Sequence, residues 1–228
     1  MRDSFDQYSI KYNELVDNAV SQTGYSTNSL VIAKLQKLKN LFPTLSGKPF
    51  RLLDFGCGIG NLYSSIGHIF PQVTYTGVDP SKDSILQARS RFNDEIIFHE
   101  SNTLEWQTLK FDLIFASGVF HHIPHIEHTR IIQQLCSLLN RDGNLVIWEH
   151  NPGTPVTRKI VNDCIFDQDA ILVSPTTLKS QLREASLTNV KVIYTTFFPK
   201  YFSILNCLDP YLSWLPVGGQ YLVTGRKT

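Results

Sequence analysis

Several things are scarce in this sequence, and each shortage narrows what it can be. Its 228 residues carry 21 Lys and Arg against 20 Asp and Glu, a formal net charge of +1, so it has no electrostatic footprint for nucleic acid. No run of like charges marks a tail or a membrane patch. No apolar stretch approaches the roughly 20 residues that a membrane span needs. The segment Met1-Arg2-Asp3-Ser4-Phe5-Asp6 lacks the apolar centre of a signal peptide. The four cysteines, at 57, 136, 164 and 207, form no C-x-x-C pair. Without an export signal they read as reduced thiols, and the expected location is the cytoplasm. No internal repeat or low-complexity segment is present. What remains is 42% hydrophobic and 18% charged, a balance that fits one globular domain over 1–228 with a small cap.

The chain is organised around Leu52-Leu53-Asp54-Phe55-Gly56-Cys57-Gly58-Ile59-Gly60-Asn61. Phe50, Leu52, Leu53 and Phe55 make the short apolar run of a buried parallel strand. Glycines at 56, 58 and 60 then allow positive φ and close approach of a ligand to the backbone. Leu62, Ile66, Ile69 and Phe70 follow at helical spacing. Amide groups at such a strand–turn–helix junction point outward and can hold a nucleotide. Cys57, inside the turn, reads as a small residue rather than a reactive thiol.

A dinucleotide and S-adenosylmethionine are the two ligands to weigh. The dinucleotide fingerprint is G-x-G-x-x-G, but Asn61 stands where its third glycine belongs. Asp54 lies two residues before the first glycine, where a helix start would prefer an anion in the ligand. A carboxylate there suits a ligand that brings positive charge, as the sulfonium and ammonium of S-adenosylmethionine do. A second strand over Val73–Val78 ends in Asp79-Pro80-Ser81. In a doubly wound sheet that acid lies beside the glycine turn, where it can accept from both ribose hydroxyls. Helix capping is its structural alternative.

A third strand is expected over Ile96-Ile97-Phe98, followed by Ser101-Asn102-Thr103, and a fourth over Phe111–Ala116, running into Ser117-Gly118-Val119-Phe120-His121-His122-Ile123. The glycine stretch and this F-D-x-I…V-x-H-H-I stretch resemble motifs I and IV of the class I S-adenosylmethionine-dependent methyltransferases of small-molecule type. The resemblance is specific over roughly residues 50–150. It implies a Rossmann-like α/β fold: a seven-stranded, mostly parallel sheet in the order 3-2-1-4-5-7-6, strand 7 antiparallel, with helices on both faces. It also implies S-adenosyl-L-methionine as cofactor and a small-molecule methyl acceptor; monomer and homodimer both stay open. Carried onto this chain, the cofactor-binding positions are Tyr12, Asp54, Gly56, Cys57, Gly58, Gly60, Asp79, Pro80, Asn102, Thr103, Ser117, Gly118 and His122. Asn102 stands where the family commonly has Asp, and its amide oxygen can still accept from the adenine amino group. Tyr12 comes from the phrase Phe5-Asp6-x-Tyr8-x-x-x-Tyr12, similar to the leader of such enzymes.

Four histidines fall within eight residues, His121, His122, His125 and His128. The order H-E-x-x-H of a helical zinc site is absent, and few carboxylate or cysteine partners lie nearby, so no metal is expected. His125 and His128 read as solvated. His122 reads as a general base, work that imidazole suits at neutral pH; shaping the methionine pocket is the alternative. A fifth strand, Asn144–Trp148, delivers Glu149-His150-Asn151-Pro152 to the same edge. His122, Glu149 and His150 are therefore the catalytic candidates. Neighbouring strand residues point to opposite faces, so one of Glu149 and His150 is expected to face the substrate.

The remainder supplies a lid and a cap. Residues 1–45 read as two helices, the second with Leu30, Ile32, Leu35, Leu38 and Leu41 on one face. They either pack as helices or close over the cofactor. Residues 46–150 are the cofactor-binding core and 151–228 the substrate side, including strands over Val190–Tyr194 and Gln220–Thr224. Arg141-Asp142-Gly143 reads as a helix stop. Asn162, Asp163, Asp167 and Asp169 read either as part of a cap or as its wet face, and the aromatics between Phe197 and Pro216 read first as core. Two other functions stay open: a protein that binds S-adenosylmethionine without catalysis, and a nicotinamide-dependent oxidoreductase.

Overall fold

The computed structural model describes residues 24–93, 97–164, 167 and 169–228. Helix α1 (Thr27–Leu41) precedes β1 (Phe50–Phe55). There follow α2 (Tyr63–Ile69), β2 (Val73–Asp79), α3 (Lys82–Phe92), β3 (Phe98–Glu100), β4 (Phe111–Ser117), α4 (His125–Leu138) and β5 (Leu139–His150). Then come α5 (Pro155–Asp163), α6 (Pro175–Glu184), β6 (Thr188–Thr195), α7 (Asp209–Leu212) and β7 (Gln220–Arg226). The strands form one seven-stranded sheet in the order β3-β2-β1-β4-β5-β7-β6. The first five pair in parallel, and β7 runs antiparallel between β5 and β6. This is the expected Rossmann-like arrangement, and it brings the C-terminal ends of β1, β2, β4 and β5 to one edge.

The strand sequences explain why both faces are covered. Leu52 packs into one core and Leu53 into the other, because neighbouring strand residues point to opposite faces. Leu113 and Ile114 divide in the same way, as do Leu145 and Val146. A sheet buried on both sides needs such continuous apolar runs. One face holds Leu35 and Leu38 of α1 with Ile66 and Ile85; the other holds Ile132, Leu135, Leu178 and Leu182.

Several expectations shift. Residues 1–23, which include Tyr12 and the first helix of the expected lid, lie outside the described residues. So does Ile96, and β3 begins at Phe98. The apolar face of α1 is rotated from the expected one: Leu35 and Leu38 are buried, Val31 packs beside them, and Ile32 is exposed. Ser26 caps this helix, accepting from the Ser29 N–H. Helix α4 ends at Leu138, before Arg141-Asp142-Gly143, which lies inside β5. The reason is pairing at the far end of the sheet. Asp142 takes φ 66°, its N–H donates to the Lys227 carbonyl, and the Lys227 N–H donates back to Gly143. The aromatic stretch after β6 is not core: Tyr201, Phe202, Tyr211 and Trp214 are exposed, Trp214 to 72%. No helix among the described residues is long and apolar enough to cross a membrane.

Candidate active site

The glycine turn connects β1 to the stretch before α2. The Gly56 and Cys57 N–H groups donate to the Val78 carbonyl, stitching the turn to the end of β2. Gly56, Gly58 and Gly60 all have positive φ, but their surroundings differ. A Cβ on Gly56 would lie 2.3 Å from Val119 Cγ2, whereas one on Gly58 would meet nothing within 4 Å. Glycine at 56 lets β1 and the chain after β4 approach each other; glycine at 58 leaves bare backbone beside open space.

Asp79, at the end of β2, is aimed at this turn. Its Oδ2 accepts from the Gly58 N–H at 2.8 Å and its Oδ1 from the Ser81 N–H at 2.8 Å. The cap of α3 is Ser81, which accepts from the Ser84 N–H, so capping is not the role of Asp79. Pro80 and Asn102 are exposed at the same edge, with Thr103 partly covered beside them. The Thr103 hydroxyl donates to the Glu100 carbonyl. Cys57 is buried under the turn, and burial pushes its thiol well above the usual range. That agrees with a packing role.

Near the end of β1 two buried ionisable groups, Asp54 and Lys34, feel each other's charge, and only the first was singled out from the sequence. Asp54 is 4% exposed and accepts from the Tyr75 hydroxyl at 2.6 Å. Burial pushes its carboxyl up to about 7, against the Tyr75 hydrogen bond. Lys34, from α1, donates to Ser117 Oγ at 2.8 Å and lies over the Trp148 ring. Burial pushes its ammonium down to about 8, against the pull of Glu149 and Asp54. Lys34 shares a helix stripe with Leu38 and Leu41, at i, i+4 and i+7. A lone lysine on an apolar stripe was the signal that could have found it.

The imidazole cluster forms where β4 and β5 end. Gly118, with φ 69°, turns the chain out of β4, and its N–H donates to the Trp148 carbonyl. A 3₁₀ turn, Phe120–His122, follows. Glu149 is 1% exposed and faces inward. Its Oε1 accepts from the Val119 and Phe120 N–H groups at 3.0 and 2.8 Å, and its Oε2 lies 2.5 Å from His121 Nδ1. With its oxygens so engaged, Glu149 holds the 3₁₀ turn against the end of β5. The other ring nitrogen of His121 lies 3.2 Å from Asp167 Oδ1, and His122 Nε2 lies 3.3 Å from the same oxygen. The segment bearing Asp167 is strapped down by the Ile171 N–H, which donates to the His121 carbonyl. Asp167 is therefore not on a wet face, unlike the exposed Asn162, Asp163 and Asp169.

Charges in the cluster are strongly shifted. Burial would lower the His121 pKa, but Glu149 and Asp167 outweigh it and hold the ring up to about 10. Asp167 is held well below the usual carboxylate range: its burial is outweighed by hydrogen bonds with His121 and His122. His150, half-buried, is pushed down to about 4 by burial and by the nearby His121. It is neutral at pH 7. His128 proves buried, its Nε2 near the Phe120 and Ile123 carbonyls at 2.9 Å, because α4 turns it back under the 3₁₀ turn. His125 is exposed, as expected of a solvated residue. His121 and Asp167 were missed because their partners come from segments distant in sequence.

Comparison with known proteins gives a consistent picture. A family model described as a methyltransferase domain matches residues 28–192. A trans-aconitate 2-methyltransferase from Rhodopseudomonas palustris (strain BisB18) is 36% identical over 100 residues, which are 43% of this chain and 38% of that protein. The matched stretch therefore spans well under half the length of that curated relative. A SAM-dependent methyltransferase from Archaeoglobus fulgidus superposes with a TM-score of 0.64 at 19% identity, covering 89% of this chain and 95% of that one. A magnesium protoporphyrin IX methyltransferase from Synechocystis PCC 6803, solved with bound SAH, gives 0.66 at 15% identity, covering 100% and 98%. At these identities the likeness is one of fold. Because the family match itself runs over most of the chain, this chain belongs to the methyltransferase-domain family, the class I type that works with S-adenosylmethionine.

Proposed function

We propose that this chain transfers the methyl group of S-adenosylmethionine to an oxygen, nitrogen or carbon nucleophile of a small-molecule acceptor. One observation carries the reading: Asp79 bonds the Gly58 N–H at 2.8 Å beside open space over Gly58. The ribose hydroxyls would donate to Asp79, with the adenine between Pro80 and Asn102-Thr103. The methionine end would run past Gly56, Cys57 and Gly60 towards Ser117 and Gly118. Asp54 would meet its ammonium and Lys34 its carboxylate, so that these two groups read both ends of an amino acid. The sulfonium is already activated, so the protein's work is to align the acceptor and exclude water. The nucleophile attacks the methyl carbon, the carbon–sulfur bond breaks, and S-adenosylhomocysteine leaves. His122 and His150 stand on the acceptor side, and His122 is our candidate to take a proton from the nucleophile. Tyr12 remains a proposed contact.

A small acceptor, rather than nucleic acid, fits the formal net charge of +1. Four free cysteines, three of them buried, support a reducing, cytoplasmic setting. The test is formation of S-adenosylhomocysteine over a panel of metabolite acceptors. Trans-aconitate, the acceptor in the relatives' name, comes first. Acceptor-dependent turnover is expected for at least one compound. Cofactor binding with no turnover on any acceptor would favour the non-catalytic binding protein instead.

A further inference from the structure

The cluster at the ends of β4 and β5 is built in the manner of a metal site. Glu149 accepts two backbone N–H groups through one oxygen and faces His121 Nδ1 with the other. An ionised carboxylate only accepts, so His121 Nδ1 carries a proton and donates it. Its Nε2 is turned towards Asp167 Oδ1 at 3.2 Å. One ligand atom from each of His121, His150 and Asp167 lies within 4.8 Å of the other two. Donor atoms about 2.0–2.1 Å from a tetrahedral zinc ion are about 3.3 Å apart, so the His121–Asp167 separation already matches one edge of such a site. His150, half-buried at the end of β5, brings the third donor within the same 4.8 Å.

A proton on His121 Nε2, which a bound ion would displace, would satisfy that edge, where His122 Nε2 also lies 3.3 Å from the Asp167 oxygen. The proton gives no reason for a third donor, His150, brought to the same place from the end of β5. Metal-ligating histidines donate their second N–H to a carboxylate, which fixes the tautomer and the ring orientation, and Glu149 does this for His121. Two imidazoles and one carboxylate are a donor set for zinc or a similar divalent ion, with a position left over. The expectation of no metal rested on the missing H-E-x-x-H order and on how few carboxylates or cysteines lie near the histidines in sequence. The fold supplies Asp167 from 46 positions away.

We propose that His121 Nε2, His150 and Asp167 bind a divalent transition-metal ion of the zinc type, with Glu149 orienting His121 and one coordination position open. That position takes water or, if the methyl-transfer reading holds, an oxygen of the acceptor, whose proton a metal makes easier to lose.

The experiment uses tag-free full-length protein, stripped with a chelator and titrated calorimetrically with Zn²⁺. Co²⁺ in a parallel sample is followed by visible absorption. S-adenosylmethionine binding is measured on the same samples, so that failure of the cofactor reading is seen separately. The expected result is one Zn²⁺ per chain and Co²⁺ bands of a low-symmetry, four- or five-coordinate site. Asp167→Asn and His150→Gln, both at partly exposed positions, should each weaken Zn²⁺ by more than about 10-fold, the least that loss of even an outer partner costs. No stoichiometric Zn²⁺ on the wild-type protein overturns the proposal whatever the variants do. Equal binding by the Asp167→Asn, His150→Gln double variant overturns it as well, by placing the ion elsewhere.

Discussion

Two neighbouring regions at one edge of the sheet are made in opposite ways. The glycine turn is made of backbone: Gly56 and Cys57 donate to Val78, Gly58 donates to Asp79, and everything but these two residues at the end of β2 falls within a few residues of β1. The imidazole cluster is made of side chains from three segments, the 3₁₀ turn after β4, the end of β5 and the strap before α6. A backbone-made site depends on conformations that only certain residues allow. A side-chain-made site depends on which segments the fold brings together. The first should break through strain, and the second through loss of a single polar atom.

The largest effect is expected at Gly56. Alanine there would place a Cβ 2.3 Å from Val119 Cγ2 at a positive φ of 85°. Strain and overpacking together should cost about 3 kcal/mol, a fall of roughly 6–12 °C in Tm. A thermal melt of Gly56→Ala that overlays the wild-type melt would show that the turn has slack the geometry does not suggest.

Next comes Asp79→Ala, which keeps the turn's glycines and removes the acceptor. It should weaken S-adenosylmethionine by about 1.5–3 kcal/mol, roughly 10- to 150-fold in Kd. If calorimetry finds the affinity unchanged, the ribose does not sit on Asp79.

A third test separates the charges of Asp54 and Lys34. Asp54 gains its charge as pH rises through about 7, and Lys34 loses its charge as pH rises through about 8. If they hold the cofactor's ammonium and carboxylate, affinity should climb through the first value and decline through the second. Asp54→Asn should flatten the acid limb and Lys34→Met the alkaline limb. A variant that leaves its limb in place assigns that limb to another group.

These regions also differed in how legible they were. The strands, the glycine turn and Asp79 were readable because each leaves a local mark: an apolar run, a spaced glycine, an acid at a strand end; the strand order came only with the family resemblance. Lys34 left a weaker one, a charge on the stripe of Leu38 and Leu41. His121 and Asp167 left none that could be ranked. Which of two adjacent histidines turns inward depends on the 3₁₀ turn, and Asp167 looked like Asp163 and Asp169 until the strap placed it. Glu149 was found, but not its hold on the 3₁₀ turn, since sequence cannot show that two backbone N–H groups occupy one of its oxygens. The aromatics after β6 were misjudged, because a dense aromatic run reads as core wherever it lies.

The smallest effect belongs to that run. Trp214 is 72% exposed, so Trp214→Ser should change stability by less than about 0.5 kcal/mol. A loss of several kcal/mol in denaturant unfolding would return it to the core.

The most direct test is calorimetric titration of the purified chain with S-adenosylmethionine, with NAD as control. The account predicts one site per chain of about micromolar affinity for S-adenosylmethionine and none for NAD. Binding of NAD alone, or of neither, would contradict it, leaving the glycine turn and Asp79 without the ligand they are read to hold.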